Sequence, residues 1–387
     1  MKKVVVTGTG IVCSIGENVK TFWINLIEGK SGIKKIDGFS TEGYRNQMGG
    51  IIPKSFDAKW QRFMPGHSRS LIFAFAAAKE AIDSASRCEP EGLIVGTGAG
   101  NIELLEQNIK HKEIIKTNPY YQSIGELAKA LEIKGFTHCF SQVCVSSSIS
   151  IGYAAQLIRI GEAKCIVCGG YEALSPICYS SLSVSRAVTT EVIRPFSINR
   201  SGTVQGEGGA FLVLEEESHA INRGAKILAY VDGFALNTNA HHMSNSHKDA
   251  IAKVIAEGLD DAKLDKSKVD YINAHGTATI SGDAAEAGAI IDVFGENAKN
   301  IPVSSIKGAV GHAIGAAGAI EAVATVMALN HQILPPTLNF TEADPQFQLD
   351  FVPNKSRVSN IRHAISLSAG LGGNNSILVF SKGVSDG

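Results

Sequence analysis

The chain has 387 residues, of which 44% are hydrophobic, so it can form one large or two medium-sized domains with a buried core. Its 36 Lys and Arg residues balance 37 Asp and Glu residues, which excludes the basic excess typical of nucleic-acid-binding proteins. The seven cysteines are odd in number and irregularly spaced, and no secretory signal precedes them, so we expect free thiols in a cytoplasmic protein.

The first half of the chain alternates strand and helix patterns, as in an α/β protein. The patterns predict strands at 4–6, 92–95, 165–168 and 210–214, and helices at 19–28, 70–85 and 149–160. Gly8 and Gly10 begin a dinucleotide-binding fingerprint, but its third glycine is replaced by Cys13, so we expect no nucleotide cofactor. Cys165 and Cys168 have dithiol spacing without a second pair, and we interpret them as buried strand thiols.

Cys144 follows a β-type stretch that we expect to end at the thiol, and small polar residues separate it from the helix predicted at 149–160. At such a strand-to-helix turn the sulfur would lie near the free N–H groups of the helix, which favour a thiolate. The sequence therefore offers Cys144 as a nucleophile. The alternative is a buried structural cysteine, the more common fate of a free thiol in an apolar segment.

The second half repeats the alternation, with strands predicted at 227–234, 271–273, 303–304, 364–368 and 377–380, and helices at 248–262, 284–294 and 313–329. The apolar stretch 309–329 is nearly long enough to span a membrane, but it contains His312 and Glu321, so we interpret it as a buried core helix. A boundary near 215–223 gives two halves of similar element order, and we predict domains at 1–220 and 221–387.

Two histidines follow predicted strands in the second half. His275 lies in Asn273-Ala-His-Gly-Thr277, and His312 ends Lys307-Gly-Ala-Val-Gly-His312, so each lies beside a glycine turn. Catalytic side chains are often found on such loops. A histidine at a helix start tends to stay neutral, as we expect for His312. Either histidine alone could be structural, but together with Cys144 they indicate an active site.

These motifs occur in the order found in the β-ketoacyl-[acyl-carrier-protein] synthases, the decarboxylating condensing enzymes of type II fatty-acid and polyketide synthesis. The resemblance covers the whole chain, including Val4–Gly10, Gly206–Ala210, Leu334–Thr337 and the closing Gly370–Asn375. Thiolases share the ancestral fold but need a second active-site cysteine near the C-terminus, and the last cysteine here is Cys178.

The resemblance implies a thiolase-like five-layered αβαβα fold of two similar halves. Such proteins normally form a homodimer, or a heterodimer with a related ketosynthase-like subunit. The implied partner is an acyl carrier protein whose phosphopantetheine delivers acyl and malonyl groups. The chemistry needs no metal or organic cofactor, and we expect no membrane association.

The resemblance also assigns chemistry to residues. The Cys144 thiolate would accept the acyl group, and the backbone N–H groups of Cys144 and Leu371 would bind the oxyanion. His275 and His312 would hold the malonyl thioester oxygen while CO2 leaves. Lys307 would order the two histidines.

Further residues are assigned to binding by the same resemblance. Thr277 and Thr279 would hydrogen-bond phosphopantetheine, although as bare sequence they are turn-capping hydroxyls. Arg62 and Arg69 would steer the acidic carrier protein, although a solvated basic face explains them equally well. The acyl tunnel and its gate would be lined by Ala99, Ala369 and Leu371. Asp283 and Glu286 are interpreted as a structural capping pair at a helix start.

The chain departs from the elongating fatty-acid enzymes around the acyl tunnel. Ala369 and Leu371 stand where phenylalanines are usual, and Ala99 stands where a larger aliphatic residue is common. These smaller side chains favour a specialised polyketide, polyene or modified fatty-acid substrate. The alternatives are housekeeping fatty-acid elongation, a non-elongating partner subunit resembling a chain-length factor, and an acyltransferase that does not decarboxylate.

Overall fold

The computed structural model describes residues 1–112, 121–243 and 246–383, in which strands and helices alternate as predicted. The strands of the first half are β1 (Val4–Cys13), β2 (Ile33–Lys35), β3 (Met48–Gly50), β4 (Gly92–Gly96), β5 (Phe136–Phe140), β6 (Cys165–Glu172) and β7 (Gly208–Glu216). Its helices are α1 (Val19–Ile27), α2 (Lys54–Trp60), α3 (Arg69–Ala85), α4 (Ile102–His111), α5 (Tyr121–Ala130), α6 (Ser146–Ile160) and α7 (Pro176–Val184).

The second half begins with α8 (Glu217–Asn222), which lies across the predicted domain boundary; we retain that boundary as a proposal. Its strands are β8 (Ala229–Thr238), β9 (Tyr271–Asn273), β10 (Val303–Ser304), β11 (Ile333–Leu334), β12 (Arg357–Val358), β13 (His363–Gly370) and β14 (Asn374–Lys382). The remaining helices are α9 (Lys248–Asp261), α10 (Ile280–Phe294), α11 (Lys307–Val310) and α12 (Ala317–His331).

Each half builds a five-stranded mixed sheet with the same strand order. The order is β1-β7-β6-β4-β5 in the first half and β8-β14-β13-β9-β10 in the second, and both combine antiparallel with parallel pairs. The two sheets meet where Val5 and Val6 pair with Tyr230 and Ala229. The prediction of two similar halves is therefore confirmed.

The two sheets and their helices form five layers. Alternate residues of β7 face different cores: Leu212 and Leu214 point to the central core, whereas Phe211 and Val213 point to an outer core. Helices α6 and α12 fill the central core between the sheets, α3 covers the first sheet, and α9 with α10 covers the second. This arrangement places the starts of α6 and α12 side by side inside the molecule.

The glycines of β1 allow α3 to pack closely on this strand. A Cβ atom on Gly10 would lie 2.0 Å from the Ala77 carbonyl oxygen, and one on Gly8 would lie 2.2 Å from that of Ala81. Only glycine lets α3 lie directly on the strand, because any side chain would push the helix away. Strand β1 therefore continues through both glycines to Cys13, seven residues beyond the predicted end.

Two apolar segments, Val143–Ile160 and Ile314–His331, are long enough to span a membrane by length and composition alone. Most of their residues are buried between the two sheets, so they are core helices, as predicted for the second segment. Cys165 and Cys168 are buried free thiols in β6, which also agrees with the prediction.

Candidate active site

Cys144 lies in a short 3-10 turn, Val143–Val145, between β5 and α6. The strand ends at Phe140, four residues before the predicted end at the thiol. Val143 has a φ of 50°, a strained conformation for a β-branched residue, and it makes the turn sharp. A Cβ on Gly96 would lie 2.3 Å from the backbone of Ser146, so a glycine in β4 lets this turn sit against the sheet.

The Cys144 thiol is buried, and its Sγ lies 3.1 Å from Nε2 of His312. Burial raises the pKa of the thiol to about 12, although the charge of Lys307 and the backbone N–H of Leu371 both act to lower it. The expectation that the helix start alone favours a thiolate is therefore wrong for this site, because desolvation outweighs it. The free thiol needs an acceptor for its proton, and His312 is in place to take it.

His275 follows β9 on a loop fixed by a buried carboxylate. Glu286 accepts hydrogen bonds from the backbone N–H groups of His275 at 2.6 Å and Gly276 at 2.8 Å. Lys307 lies beside the ring, with Nζ 3.3 Å from His275 Nδ1, and it also donates to the His275 carbonyl oxygen. Its remaining partner is the carboxylate of Glu321, so Lys307 is a buried residue with three partners.

The Lys307 ammonium determines which nitrogen of His275 carries the proton. An ammonium group can only donate, so Nδ1 must accept, and the proton of the neutral ring lies on Nε2. Burial and the charge of Lys307 hold the pKa values of His275 and His312 well below the ordinary value, so both rings are neutral. Neutrality was expected for His312, but its cause is burial beside a cation and not a helix dipole alone.

The ligand atoms of Cys144, His275 and His312 lie within 4.8 Å of one another, a spacing that could hold a metal ion. The Lys307 ammonium beside His275 would repel a cation, and the proton on Nε2 would block coordination there. The donor set therefore fits a hydrogen-bonding site better than a metal site.

A cavity of about 580 Å³ opens beside these side chains. It brings together Cys144, both histidines and all the residues predicted to bind the pantetheine arm or the acyl chain, namely Thr277, Thr279, Ala99, Ala369 and Leu371. The hydroxyls of Thr277 and Thr279 lie 3.0 Å apart on its wall. The roles of these residues stay predictions, but their predicted proximity is observed.

The two arginines predicted to dock a carrier protein lie in different environments. Arg62 is exposed, with its guanidinium 4.7 Å from the centre of the Phe63 ring. Arg69 instead binds the carboxylates of Asp57 and Glu207 and the carbonyl oxygen of Ile52. We therefore correct the prediction for Arg69: its guanidinium is used inside the protein, where it fixes the start of α3.

The sequence did not reveal the roles of the buried carboxylates near the site. Asp283 and Glu286 do not cap α10; Asp283 accepts from the N–H groups of Phe196 and Ala278, and Glu286 fixes the His275 loop. Glu321, the partner of Lys307, was not assigned a role. A glutamate inside an apolar helix was the available signal, because a buried charge requires a partner.

The two halves contribute equivalent positions to the site. Cys144 lies between β5 and α6, and His312 lies between β10 and α12, which are the corresponding strand and helix of the second half. The inner helices start side by side, so the internal repeat itself brings the thiol to the imidazole.

Comparisons with known proteins agree with this arrangement. The family model described as "Beta-ketoacyl synthase, N-terminal domain" matches residues 1–220, and "Beta-ketoacyl synthase, C-terminal domain" matches 228–341. Proteins named 3-oxoacyl-[acyl-carrier-protein] synthase 2 from Synechocystis sp. and Staphylococcus aureus are 36% and 34% identical to the chain, and each alignment covers 98% of both proteins.

Solved structures give the same result. "The ishigamide ketosynthase/chain length factor" aligns with a TM-score of 0.90 at 32% identity, covering 98% of this chain and 99% of that one. A chain of the complex described as "type II PKS acyl-carrier protein in complex with its ketosynthase bound to the hexaketide" aligns with a TM-score of 0.86 at 31% identity, covering 98% of this chain and 99% of that one.

Proposed function

Since the chain belongs to the β-ketoacyl synthase family, whose members are acyl-transferring condensing enzymes with the predicted thiolase-like fold, we propose that it extends an acyl group held on Cys144. The extender is a malonyl group on an acyl carrier protein, and the product is a β-ketoacyl thioester. The observation that carries the proposal is the Cys144–His312 contact of 3.1 Å beside a His275 ring whose tautomer is set by Lys307.

In the first step, the Cys144 sulfur attacks the acyl thioester while its proton passes to Nε2 of His312. The new S–C bond forms and the bond to the carrier's sulfur breaks, and the carrier thiolate takes the proton back from His312. The oxyanion formed between these events is bound by the backbone N–H groups of Cys144 and Leu371. The Leu371 N–H already points toward the Cys144 sulfur.

In the second step, malonyl thioester enters and its oxygen accepts a hydrogen bond from the Nε2–H group of His275. His312, whose proton is on Nδ1 after the first step, donates the second hydrogen bond once that proton has exchanged to Nε2 through solvent. The bond to the carboxylate breaks, CO2 leaves, and its electron pair forms the enolate. The enolate carbon then attacks the acyl carbonyl and displaces the Cys144 sulfur. Neutral imidazoles suit this step, because they stabilise the enolate oxygen as hydrogen-bond donors without readily protonating the reacting carbon.

We propose that the substrate belongs to a specialised polyketide, polyene or modified fatty-acid pathway. Support comes from the small residues Ala99, Ala369 and Leu371 on the cavity wall, and from two similar structures named for polyketide or ishigamide assembly. Housekeeping elongation is the second candidate, favoured by relatives named 3-oxoacyl-[acyl-carrier-protein] synthase 2. A non-elongating partner subunit is less favoured, because it has no need of the complete Cys144, His275 and His312 set.

We also propose that the protein acts in the cytoplasm as a dimer, with a second copy or with a related subunit. Strand β5 ends the sheet of the first half, and its residues Thr137 and His138 are exposed. Exposed strand edges are normally covered, and pairing with the same edge of another subunit would cover this one.

We propose that the exposed guanidinium of Arg62 helps to dock the acidic carrier protein.

The test is a condensation assay with acyl- and malonyl-carrier protein, in which CO2 release and the β-ketoacyl product are followed by mass spectrometry. The Cys144→Ser variant should lose condensation by at least about 1000-fold, because a serine hydroxyl is a far weaker nucleophile. Cys88→Ser, a matched change outside the cavity, should keep the wild-type rate. Condensation by Cys144→Ser at the wild-type rate would contradict the proposal.

Comparing saturated with polyenoyl or β-oxo acyl groups in the same assay separates the two candidate pathways. A preference for saturated chains of ordinary fatty-acid length would favour housekeeping elongation. A preference of about tenfold or more for polyenoyl or β-oxo chains would support the specialised role.

A further inference from the structure

Glu172, the last residue of β6, is a buried carboxylate in the wall of the active-site cavity. The condensation steps described above do not use it. Its Oε2 accepts hydrogen bonds from the backbone N–H groups of Gly98 at 2.7 Å and Gly315 at 3.1 Å, and its Oε1 accepts one from Ala99 at 3.1 Å. Thr97 Oγ1 lies 3.5 Å from Oε1, so four donors of the protein occupy the acceptor sites of the carboxylate and leave it little capacity to bind substrate directly.

These hydrogen bonds join two segments that come from different halves of the chain. Gly98 and Ala99 belong to the loop between β4 and α4, which lines the cavity, and their successive N–H groups form an anion-binding nest. Gly315 lies three residues after His312, in the turn that leads into α12. One carboxylate thus connects the cavity wall at Ala99 to the segment that carries His312.

The backbone packs closely around Glu172. A Cβ on Gly98 would lie 2.8 Å from Glu172 Oε2 and 3.0 Å from Cγ2 of Ile314. A Cβ on Gly315 would lie 2.6 Å from the same oxygen and 2.2 Å from the Gly98 nitrogen. Because Gly98 and Gly315 carry no side chains, the carboxylate contacts both backbones directly, and its hydrogen bonds hold the loop against Gly315.

We propose that Glu172 is a positioning residue that sets the chain length accepted on Cys144, by holding the Gly98–Ala99 loop against Gly315. The inference rests on the proposed acyl transfer to Cys144. Without the carboxylate, three buried N–H groups lose their acceptor and the loop must move to find others. Long acyl chains that pack against Ala99 then lose their binding surface, whereas an acetyl group that stays near Cys144 is affected much less.

The test is acylation of Cys144 by thioesters from acetyl to dodecanoyl, measured by intact-protein mass spectrometry in the absence of malonyl substrate. Glu172→Gln should lower the rate ratio of dodecanoyl to acetyl by about tenfold or more, because small displacements of a binding wall cost large factors. The acetyl rate should stay within about threefold of wild type. Glu80→Gln is the matched control, since Glu80 also accepts two backbone N–H groups, from Ile11 and Val19, and lies outside the cavity lining.

A second variant leaves the carboxylate in place and disturbs the loop from the other side. Gly98→Ala inserts a methyl group against Glu172 Oε2 and should lower the same ratio, whereas Gly125→Ala, with nothing within 4 Å of the new Cβ, should not. The inference is overturned if Glu172→Gln and Gly98→Ala keep the wild-type ratio, or if they lower acetyl and dodecanoyl rates equally. Failure of the wild-type protein to become acylated at Cys144 would instead overturn the proposed function.

Discussion

At the residue scale, the site depends on buried charges that compensate one another. Lys307 and Glu321 are both about 1% exposed and pair directly, while Lys307 also reaches His275. Burial raises the pKa of Glu321 to about 7, and the Lys307 charge opposes this rise. A buried charge that loses its partner is strongly destabilising, so the pair affects both stability and the state of His275.

Replacing Lys307 by methionine should therefore have two effects. The free energy of unfolding should fall by about 3 kcal/mol, because Glu321 is left unpaired in the core. Malonyl decarboxylation should fall by about 100-fold or more, because Nδ1 of His275 loses the donor that keeps the proton on Nε2. Urea denaturation and CO2 release measure the two effects separately.

The double variant Lys307→Met, Glu321→Leu distinguishes these effects. It removes both charges, so it should recover most of the lost stability. It should not recover decarboxylation, because the hydrogen bond to His275 is still absent. Recovery of decarboxylation in the double variant would mean that Lys307 acts through stability alone.

The titration of Asp283 predicts how the stability of the protein depends on pH. Burial raises the pKa of Asp283 from 3.8 to about 7, and nearby Glu286 adds to the rise, although N–H groups and Arg200 oppose it. A raised folded-state pKa gives a stabilising contribution that is complete below the unfolded-state pKa and is lost as the pH rises through the folded-state pKa. The contribution of Asp283 should therefore decline between about pH 4 and pH 7.

The Asp283→Asn variant lacks this titration. Between pH 4.5 and pH 7.5 the wild type should lose at least about 1 kcal/mol of stability relative to the variant, since one pKa unit corresponds to about 1.4 kcal/mol. Thermal denaturation of both proteins at constant ionic strength measures the difference. A stability difference that is constant across this range would show that Asp283 does not titrate as described.

At the element scale, glycine contacts between strands and helices fix the layers. Helix α3 lies directly on Gly10 of β1. If residue 10 carried a Cβ atom, that atom would lie 2.0 Å from the Ala77 carbonyl oxygen and 2.6 Å from the Ala81 nitrogen. Both neighbours are backbone atoms, so a methyl group cannot be accommodated by a side-chain rotation. The helix as a whole would have to move.

Gly10→Ala should lower the free energy of unfolding by about 2 kcal/mol, within the range measured for overpacked cores. Gly38→Ala is the control, because nothing lies within 4 Å of the Cβ it would add. Denaturant unfolding with an unchanged m-value measures both. Equal stabilities of the two variants would contradict the direct packing of α3 on β1.

At the scale of the whole molecule, the repeat of two halves brings the residues of the site together, and we propose that the carrier protein docks at Arg62. Arg62 is exposed near the end of α2, and it lies on the first half of the chain, as does Cys144. Acidic partners are steered by such charges, and their loss mainly slows association. Small substrates do not depend on this steering.

Charge reversal by Arg62→Glu should raise KM for a carrier-bound acyl group by about threefold or more and leave a small thioester analogue unchanged. Lys253→Glu makes a comparable charge reversal on α9, in the outer layer of the other half, and should change neither value. Michaelis–Menten analysis with both substrates tests this. Equal effects of Arg62→Glu on the two substrates would indicate a structural role for Arg62.

The sequence alone determined the alternation of strands and helices, the α/β class and the motifs around Cys144, His275 and His312, because these depend on local periodicity and residue type. It missed α4, although Ile102, Leu105 and Ile109 recur at helical spacing, and α7, although the Ser175-Pro176 pair was a usable start signal.

Only the tertiary structure decided which ionisable groups are buried and which residues they contact. Arg69 was predicted to dock a carrier protein, because its partner Glu207 lies 138 residues away in the sequence and local patterns do not reveal the pair. A thiolate was expected at Cys144, because the residues next to it in the sequence do not show that the thiol is buried. Glu172 gained its role from Gly98 and Gly315, which come from opposite halves. Burial and hydrogen bonding depend on neighbours distant in the chain, so they become defined only when the two halves fold together.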